Sequence, residues 1–174
     1  MAEAGAHLWI SQADSDISAA ARVYDPSDAR TFCQAIAKYQ QAVEKSVKAV
    51  VAGQQGRLRT HVKIGYGHDA LPLAQALRRG PRPTKPTDIQ QKINRMLNDY
   101  VLSEIEVIDA LAPRRPAPGD LHVRNTEYPF ERIAGDWTAP ALPGNFETSQ
   151  VERFRSLADR VHQDAKEIVG ALRR

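Results

Sequence analysis

The sequence lacks most features that mark secreted, metal-binding or membrane-spanning proteins. Cys33 is its one cysteine, which excludes an intramolecular disulfide and fits a reducing compartment. The five histidines are scattered, and no CxxC or HxxxH pattern indicates a metal site. No segment approaches the roughly 20 consecutive apolar residues that a membrane span requires. The N-terminus shows no basic segment followed by an apolar run, so we expect a cytoplasmic protein without a signal peptide.

Aromatic residues are also sparse, at 6% of the chain, and no β-type alternation is long enough to predict a strand. Alanine is abundant, which favours the packing of helices. A length of 174 residues suits one domain with a real core better than two independent cores. We therefore predict an all-α fold over residues 1–174, a single bundle of four to five helices.

The helices follow from the spacing of apolar residues and from capping signals at their ends. In the first, Asp14 and Asp16 are expected to face outwards. Cys33 lies on the apolar face of the second and is predicted to be a small core residue. A proline-rich loop, from Pro113 to Gly144, is expected to pack onto the body before the last helix. The predicted helices cover residues 6–23, 28–52, 69–79, 88–111 and 147–172.

Polar residues interrupt the apolar stripe of the second helix. Its buried face is predicted to hold Phe32, Ile36, Tyr39, Val43, Val47 and Val50. Glu44 and Lys48 stand four residues apart, in the order that favours an ion pair on a helix, worth about 0.3 to 0.5 kcal/mol on an exposed surface. Lys45 can extend its ammonium group to solvent. Spacing alone therefore predicts a structural role for these charges.

The surrounding motifs resemble those of the HEPN domain family. The run AIAKYQQAVEKSVKAVVAGQ is similar to the family's QQAxEKxxKAxL helix, at Gln40, Gln41, Ala42, Glu44, Lys45, Lys48 and Ala49. GHDALPLAQAL, with His68, Asp69 and Leu71, resembles the start of the family's next helix. The segment RNTEYP at 124–129 is similar to the family's RYP segment with three residues inserted, and the tract from His7 to Ile17 fits its first helix.

This resemblance implies a helical bundle that usually forms a homodimer. Many family members pair with a nucleotidyltransferase, often as toxin and antitoxin, and the family name refers to nucleotide binding. Other members cut RNA without a metal ion. In those, an arginine steadies the phosphate, and a histidine separated from it by four to six intervening residues transfers protons.

The sequence departs from that catalytic motif. Arg124 and Asn125 match its beginning, but Pro129 occupies the position of the histidine, and proline cannot transfer a proton. Two other pairs satisfy the loose spacing, Arg115 with His122 and Arg155 with His162. Chance alone yields about one or two such pairs in a chain of this composition. We therefore expect a protein that is not an enzyme of this class, with no catalytic residue assigned and no metal or other cofactor.

The sequence-based hypothesis is a binding protein for a nucleotide, RNA or a nucleotidyltransferase partner, acting as a homodimer and not at a membrane. The ligand-binding residues are expected to be Lys45, Lys48, Arg124, Asn125 and Tyr128, beside the second helix. Glu44 is expected to hold the loop arginine, and His68 and Asp69 to brace or cap the start of the third helix. The alternatives are a metal-independent RNase toxin, with Arg124 and a histidine from elsewhere, and an interaction module without a ligand.

Overall fold

The computed structural model describes residues 2–54, 70–80, 88–111, 126, 130–133 and 136–172. Within these ranges the chain forms six α-helices and one two-stranded antiparallel ribbon. The elements are α1 Ala2–Val23, α2 Phe32–Gly53, α3 Ala70–Arg79, α4 Asp88–Met96, α5 Asp99–Asp109, β1 Phe130–Ile133, β2 Asp136–Thr138 and α6 Thr148–Ala171. The prediction of an all-α bundle is confirmed.

Helix α2 is the centre of the bundle and packs against α1, α3, α5 and α6. A short 3₁₀ turn, Ala29–Thr31, precedes α2. The Asp28 side chain caps this turn by accepting a hydrogen bond from the backbone N–H of Arg30. The predicted apolar stripe of α2 is at most 5% exposed throughout, and Cys33 is 3% exposed. Both core predictions are therefore confirmed, and α2 supplies the surface on which the other helices assemble.

Small side chains line the neighbouring helices α1 and α2. Alanines recur every seven residues on each helix, and all are nearly or completely buried: Ala6, Ala13 and Ala20 on α1, and Ala35, Ala42 and Ala49 on α2. Methyl side chains allow helix backbones to approach closely. This packing brings the polar residues of α1 within reach of those of α2.

The predicted fourth helix is divided into α4 and α5. The Asn98 side chain accepts a hydrogen bond from the backbone N–H of Val101 at 3.0 Å and caps α5. The apolar spacing continues across the break, because Ile93, Leu97, Val101, Ile105 and Ile108 are all buried. A periodic stripe therefore predicted one helix where a capping asparagine starts a second.

Two further details differ from the expectations. Asp16 was expected to face solvent but is 4% exposed, because lysines of α2 compensate its charge. The β1–β2 ribbon lies inside the proline-rich segment, and its strands of four and three residues are too short for alternation to reveal. Near the end of this segment, Asn145 donates hydrogen bonds to Thr138 Oγ1 at 2.9 Å and to the Ala139 carbonyl at 2.7 Å. No helix in the described ranges is long and apolar enough to cross a membrane.

Candidate functional site

The polar residues of α2 separate into a buried set and a set that reaches the surface. Gln40, Glu44 and Lys48 are each at most 3% exposed. Lys38 and Lys45 remain partly accessible, with side chains 40% and 17% exposed. The family motif therefore contributes both to the interior of the bundle and to its surface.

The buried set includes an ion pair in contact with an aromatic ring. The Lys48 ammonium donates a hydrogen bond to the Glu44 carboxylate, and both side chains are nearly inaccessible. Lys48 Nζ also lies 5.0 Å from the centre of the Trp9 ring on α1, a cation–π distance. The predicted Glu44–Lys48 pair is thus present. Because it is buried, loss of one partner is far more costly than in an exposed pair.

Gln40 belongs to a second buried network, centred on Asp109 at the end of α5. Asp109 Oδ1 accepts from Gln40 Nε2 at 3.3 Å, and its Oδ2 accepts from the backbone N–H of Leu71 at 2.8 Å. One carboxylate therefore joins α2, α5 and the first turn of α3. Asp109 was not among the residues expected from the sequence. Its only signal was a carboxylate at a helix C-terminus, where the helix dipole disfavours negative charge.

Asp16 links the accessible lysines of α2 to α1. Its carboxylate accepts a hydrogen bond from Lys45 and lies 3.8 Å from the Lys38 ammonium. Two cations therefore share one buried carboxylate, which leaves a local excess of positive charge. Lys38 also donates to Gln41 Oε1 at 2.9 Å, so these side chains form one row along α2.

A groove of about 470 Å³ runs beside this row. Its lining is largely apolar, and the polar residues among those described are Gln34, Lys38, Gln41 and Thr126. Its lining residues are Val23, Cys33, Gln34, Ala37, Lys38, Gln41, Thr126, Ala139, Pro140 and Ala141. A groove of this size and composition is typical of sites for small organic ligands.

The thiol in this groove is not an activated nucleophile. Burial raises the pKa of Cys33 above its ordinary value of 9.0. Its Sγ atom lies 3.8 Å from the Arg30 carbonyl oxygen, which accepts a weak hydrogen bond. Cys33 is therefore present as a neutral thiol near pH 7 and contributes an apolar surface to the groove.

His162 connects three helices through both nitrogens of its ring. Its Nε2 lies 2.7 Å from Asp14 Oδ1 on α1, and its Nδ1 lies 3.1 Å from Ser46 Oγ on α2. The three side chains have the composition of a hydrolase triad, but Ser46 is completely buried and no substrate can reach it. The arrangement therefore holds helices together.

Arg155, which the spacing of the RNase motif pairs with His162, has different partners. Its guanidinium group lies 3.7 Å from Glu152 and 3.9 Å from Asp159, and half of its side chain is exposed. The two residues share no hydrogen-bond partner within the described part of the chain. This geometry supports the expectation that the pair arises by chance.

Three of the predicted site residues, Glu44, Lys45 and Lys48, lie within the described ranges, and all three belong to α2. Lys45 and Lys48 are held by carboxylates, and Glu44 is the partner of Lys48. Thr126, from the RNTEYP segment, lines the groove. Outside the described residues lie His68, Asp69, Arg124, Asn125 and Tyr128, as well as Pro129, Arg115 and His122. No cluster of potential metal ligands is present among the residues that the structure covers.

Comparison with known proteins identifies the family to which this arrangement belongs. The family model described as HEPN domain matches residues 6–110, which include most of α1, all of α2 to α5 and the whole QQAVEKSVKA motif. Searches of curated proteins and of solved structures gave no significant match. Since the matched region covers more than half of the sequence, the chain belongs to the HEPN domain family.

Proposed function

We propose that this protein binds a nucleotide or a short stretch of RNA in the α2 groove without cutting it. Membership of the HEPN family indicates a function related to nucleotides or RNA. The observation that carries the finer proposal is the groove itself, which combines a largely apolar lining, two amide groups and an accessible ammonium group. The proposal adds Lys38, Gln34 and Gln41 to the residues expected from the sequence.

Each part of the groove matches one part of a nucleotide. Ala37 and Ala141 offer apolar contact to the face of a base, and the side-chain amides can hydrogen-bond to its edge. The Lys38 ammonium is placed to attract a phosphate, because its 3.8 Å contact with Asp16 is long for an ion pair and its side chain is 40% exposed. Lys45, two helical turns further along α2, adds positive charge.

The sequence-predicted residues have separate roles in this proposal. Arg124, Asn125 and Tyr128 belong to the same segment as Thr126, and they are proposed to complete the site around the phosphate. Lys48 acts from the interior, because its ammonium group is enclosed by Glu44 and Trp9. Mutation of Lys48 is therefore expected to affect stability before it affects affinity.

We propose that RNA is not cleaved because the groups that could catalyse cleavage are buried. His162 is 6% exposed and bonded through both ring nitrogens, and Cys33 is a neutral buried thiol. An RNase that uses Arg124 with a histidine from a second subunit remains the alternative. Cleavage that survives His68→Ala and His162→Ala would count against these two histidines as its source.

The experiment is thermal unfolding with ribonucleoside triphosphates and short single-stranded RNAs, combined with electrophoresis of the RNA. A ligand at about one hundred times its Kd stabilises the folded state by about 2.7 kcal/mol. The Lys38→Ala variant is expected to weaken binding about five- to tenfold, through loss of a charge-assisted contact. Lys166→Ala is the matched control, because Lys166 is 47% exposed and lies 3.7 Å from another α1 aspartate, Asp14.

The results separate the three hypotheses. A rise in Tm with intact RNA, reduced by Lys38→Ala and kept by Lys166→Ala, supports binding in the groove. Degraded RNA supports the RNase. If no ligand changes Tm, the interaction module is favoured, and light scattering with and without a nucleotidyltransferase then tests the proposed homodimer and partner.

A further inference from the structure

A second polar cleft lies between α4 and α6, apart from the α2 groove. It encloses about 220 Å³ and is lined by Lys92, Arg95, Arg160, Asp164, Glu167 and Ile168. Within the described part of the chain, the two sites have no lining residue in common. Among the lining residues that the structure describes, three are cationic and two are acidic, so this group carries net positive charge.

The two arginines of this cleft are not neutralised by contacts within the described structure. Neither Arg95 nor Arg160 has an ion pair there, although both lie in the same cleft as Asp164. By contrast, Arg153 on the same helix α6 makes a two-pronged contact with Glu104, with Nη2 2.6 Å from Oε1. Arginines with free guanidinium groups on facing helices are suited to bind two oxygens of one anion.

The two acidic residues described in the cleft do not balance its three cations. Glu167 is 56% exposed and lies 3.9 Å from Lys92, so solvent and the lysine screen its charge. Burial raises the pKa of the Asp164 carboxyl, whereas Arg160, Arg95 and Lys92 act in the opposite direction, so all three cations lie close enough to interact with this carboxylate. Three described cations therefore face two carboxylates, one of which is screened by solvent and by Lys92.

We propose that the α4–α6 cleft is a phosphate-binding site in which Arg95 and Arg160 hold phosphate oxygens and Lys92 supplies a third positive charge. The phosphate comes from inorganic phosphate or from the backbone of an RNA strand, which present the same tetrahedral anion. This inference is independent of the α2 groove. A strand bound at both places would gain affinity from the two contacts together.

The test records NMR signals of the arginine Nε–H groups while inorganic phosphate, and separately a short oligouridylate, is added. Arg95→Ala and Arg160→Ala are each expected to weaken binding about five- to tenfold and to remove the shifts of the remaining cleft arginine. A plot of log K for the oligouridylate against log salt concentration has a negative slope. Each variant loses one phosphate contact, so this slope should become shallower by about 0.7. Arg155→Ala is the matched control, because Arg155 lies on α6 and already has carboxylate partners.

A variant that removes a negative charge from the cleft should strengthen phosphate binding, whereas the arginine variants should weaken it. Asp164→Asn keeps the shape of the side chain and is expected to tighten binding of either probe. Shifts with inorganic phosphate identify a free anion as a ligand, and shifts with the oligouridylate alone identify a strand. If neither probe shifts the Arg95 and Arg160 signals, or if all variants bind like the wild type, the inference is overturned. Because Lys38→Ala leaves this cleft intact, failure of the groove proposal is distinguishable from failure here.

Discussion

His162 Nε2 and Asp14 Oδ1 lie 2.7 Å apart, so a hydrogen bond joins the last helix to the first. The other ring nitrogen contacts Ser46 at the small-residue face of α2. These two contacts connect residues that are 148 and 116 positions apart in the chain. A histidine that spacing suggested as a catalytic candidate therefore explains how α6 is joined to the other two helices.

Replacing His162 with alanine should destabilise the protein. The change leaves the buried Ser46 hydroxyl without its partner and opens a cavity, at an expected cost of about 2 to 4 kcal/mol. Urea unfolding followed by circular dichroism measures the loss. Gln163→Ala is the control, because Gln163 is adjacent to His162, is exposed and makes neither of these contacts. Equal stability of the two variants would contradict the role given to His162.

Asp109 should stabilise the start of α3 as strongly as an N-cap residue would, although it is distant from α3 in the sequence. Asp109→Ala removes the acceptor of the Leu71 N–H and of Gln40, with an expected loss of about 2 to 3 kcal/mol. Asp109→Asn keeps one oxygen acceptor and should lose less. Unfolding measurements are compared with those of Glu106→Ala, an exposed position on the same helix. Similar losses for all three variants would show that the carboxylate has no special role.

The Glu44–Lys48 pair should show strong coupling. Lys48→Met leaves a buried carboxylate without its ammonium partner, at an expected cost of about 3 kcal/mol or more. The double variant Glu44→Gln, Lys48→Met removes both charges and should recover a large part of that loss. A double-mutant cycle in urea measures the coupling. Additive effects of the two changes would indicate that the pair is not an energetic unit.

Much of the fold was predictable because the apolar spacing of a buried helix survives in the sequence. The stripe of α2 and the inward positions Val151, Phe154 and Leu157 of α6 are buried as expected. The division between α4 and α5 was not recognised, since a cap at Asn98 interrupts hydrogen bonding without interrupting apolar spacing. The β1–β2 ribbon was missed because two very short strands carry almost no periodic signal.

The site was predictable only where the family motif lies on one helix. Glu44, Lys45 and Lys48 were recognised from that motif, and the structure shows their different burial. Lys38 and Asp109 were missed because each is held by a residue of another helix, Asp16 on α1 and Leu71 on α3, and such contacts have no local sequence pattern. Asp16 was assigned to the surface, since a single aspartate gives no sign that two lysines will enclose it.

Cys33 provides a pH-dependent test of the groove without a ligand. Its folded-state pKa is raised by burial, so alkylation should be slower than that of a free thiol at the same pH, and its rate should keep rising with pH beyond 9.0, where an ordinary thiol begins to level off. By linkage, the raised pKa contributes stability that is present below the unfolded pKa and is lost as pH rises through the folded pKa. Rates of iodoacetamide labelling and urea midpoints across this range measure both effects. Fast labelling at pH 7 would show that the thiol is not enclosed as described.

The most direct test of the central proposal is the labelling rate of Cys33 with and without a bound ligand. The probe is whichever ribonucleoside triphosphate or short RNA raises Tm most, added at saturation. If the ligand occupies the α2 groove, labelling should slow at least severalfold in the wild type and in Lys166→Ala at the same fractional saturation. An unchanged labelling rate at full saturation, with intact binding, would place the ligand elsewhere and contradict the proposal.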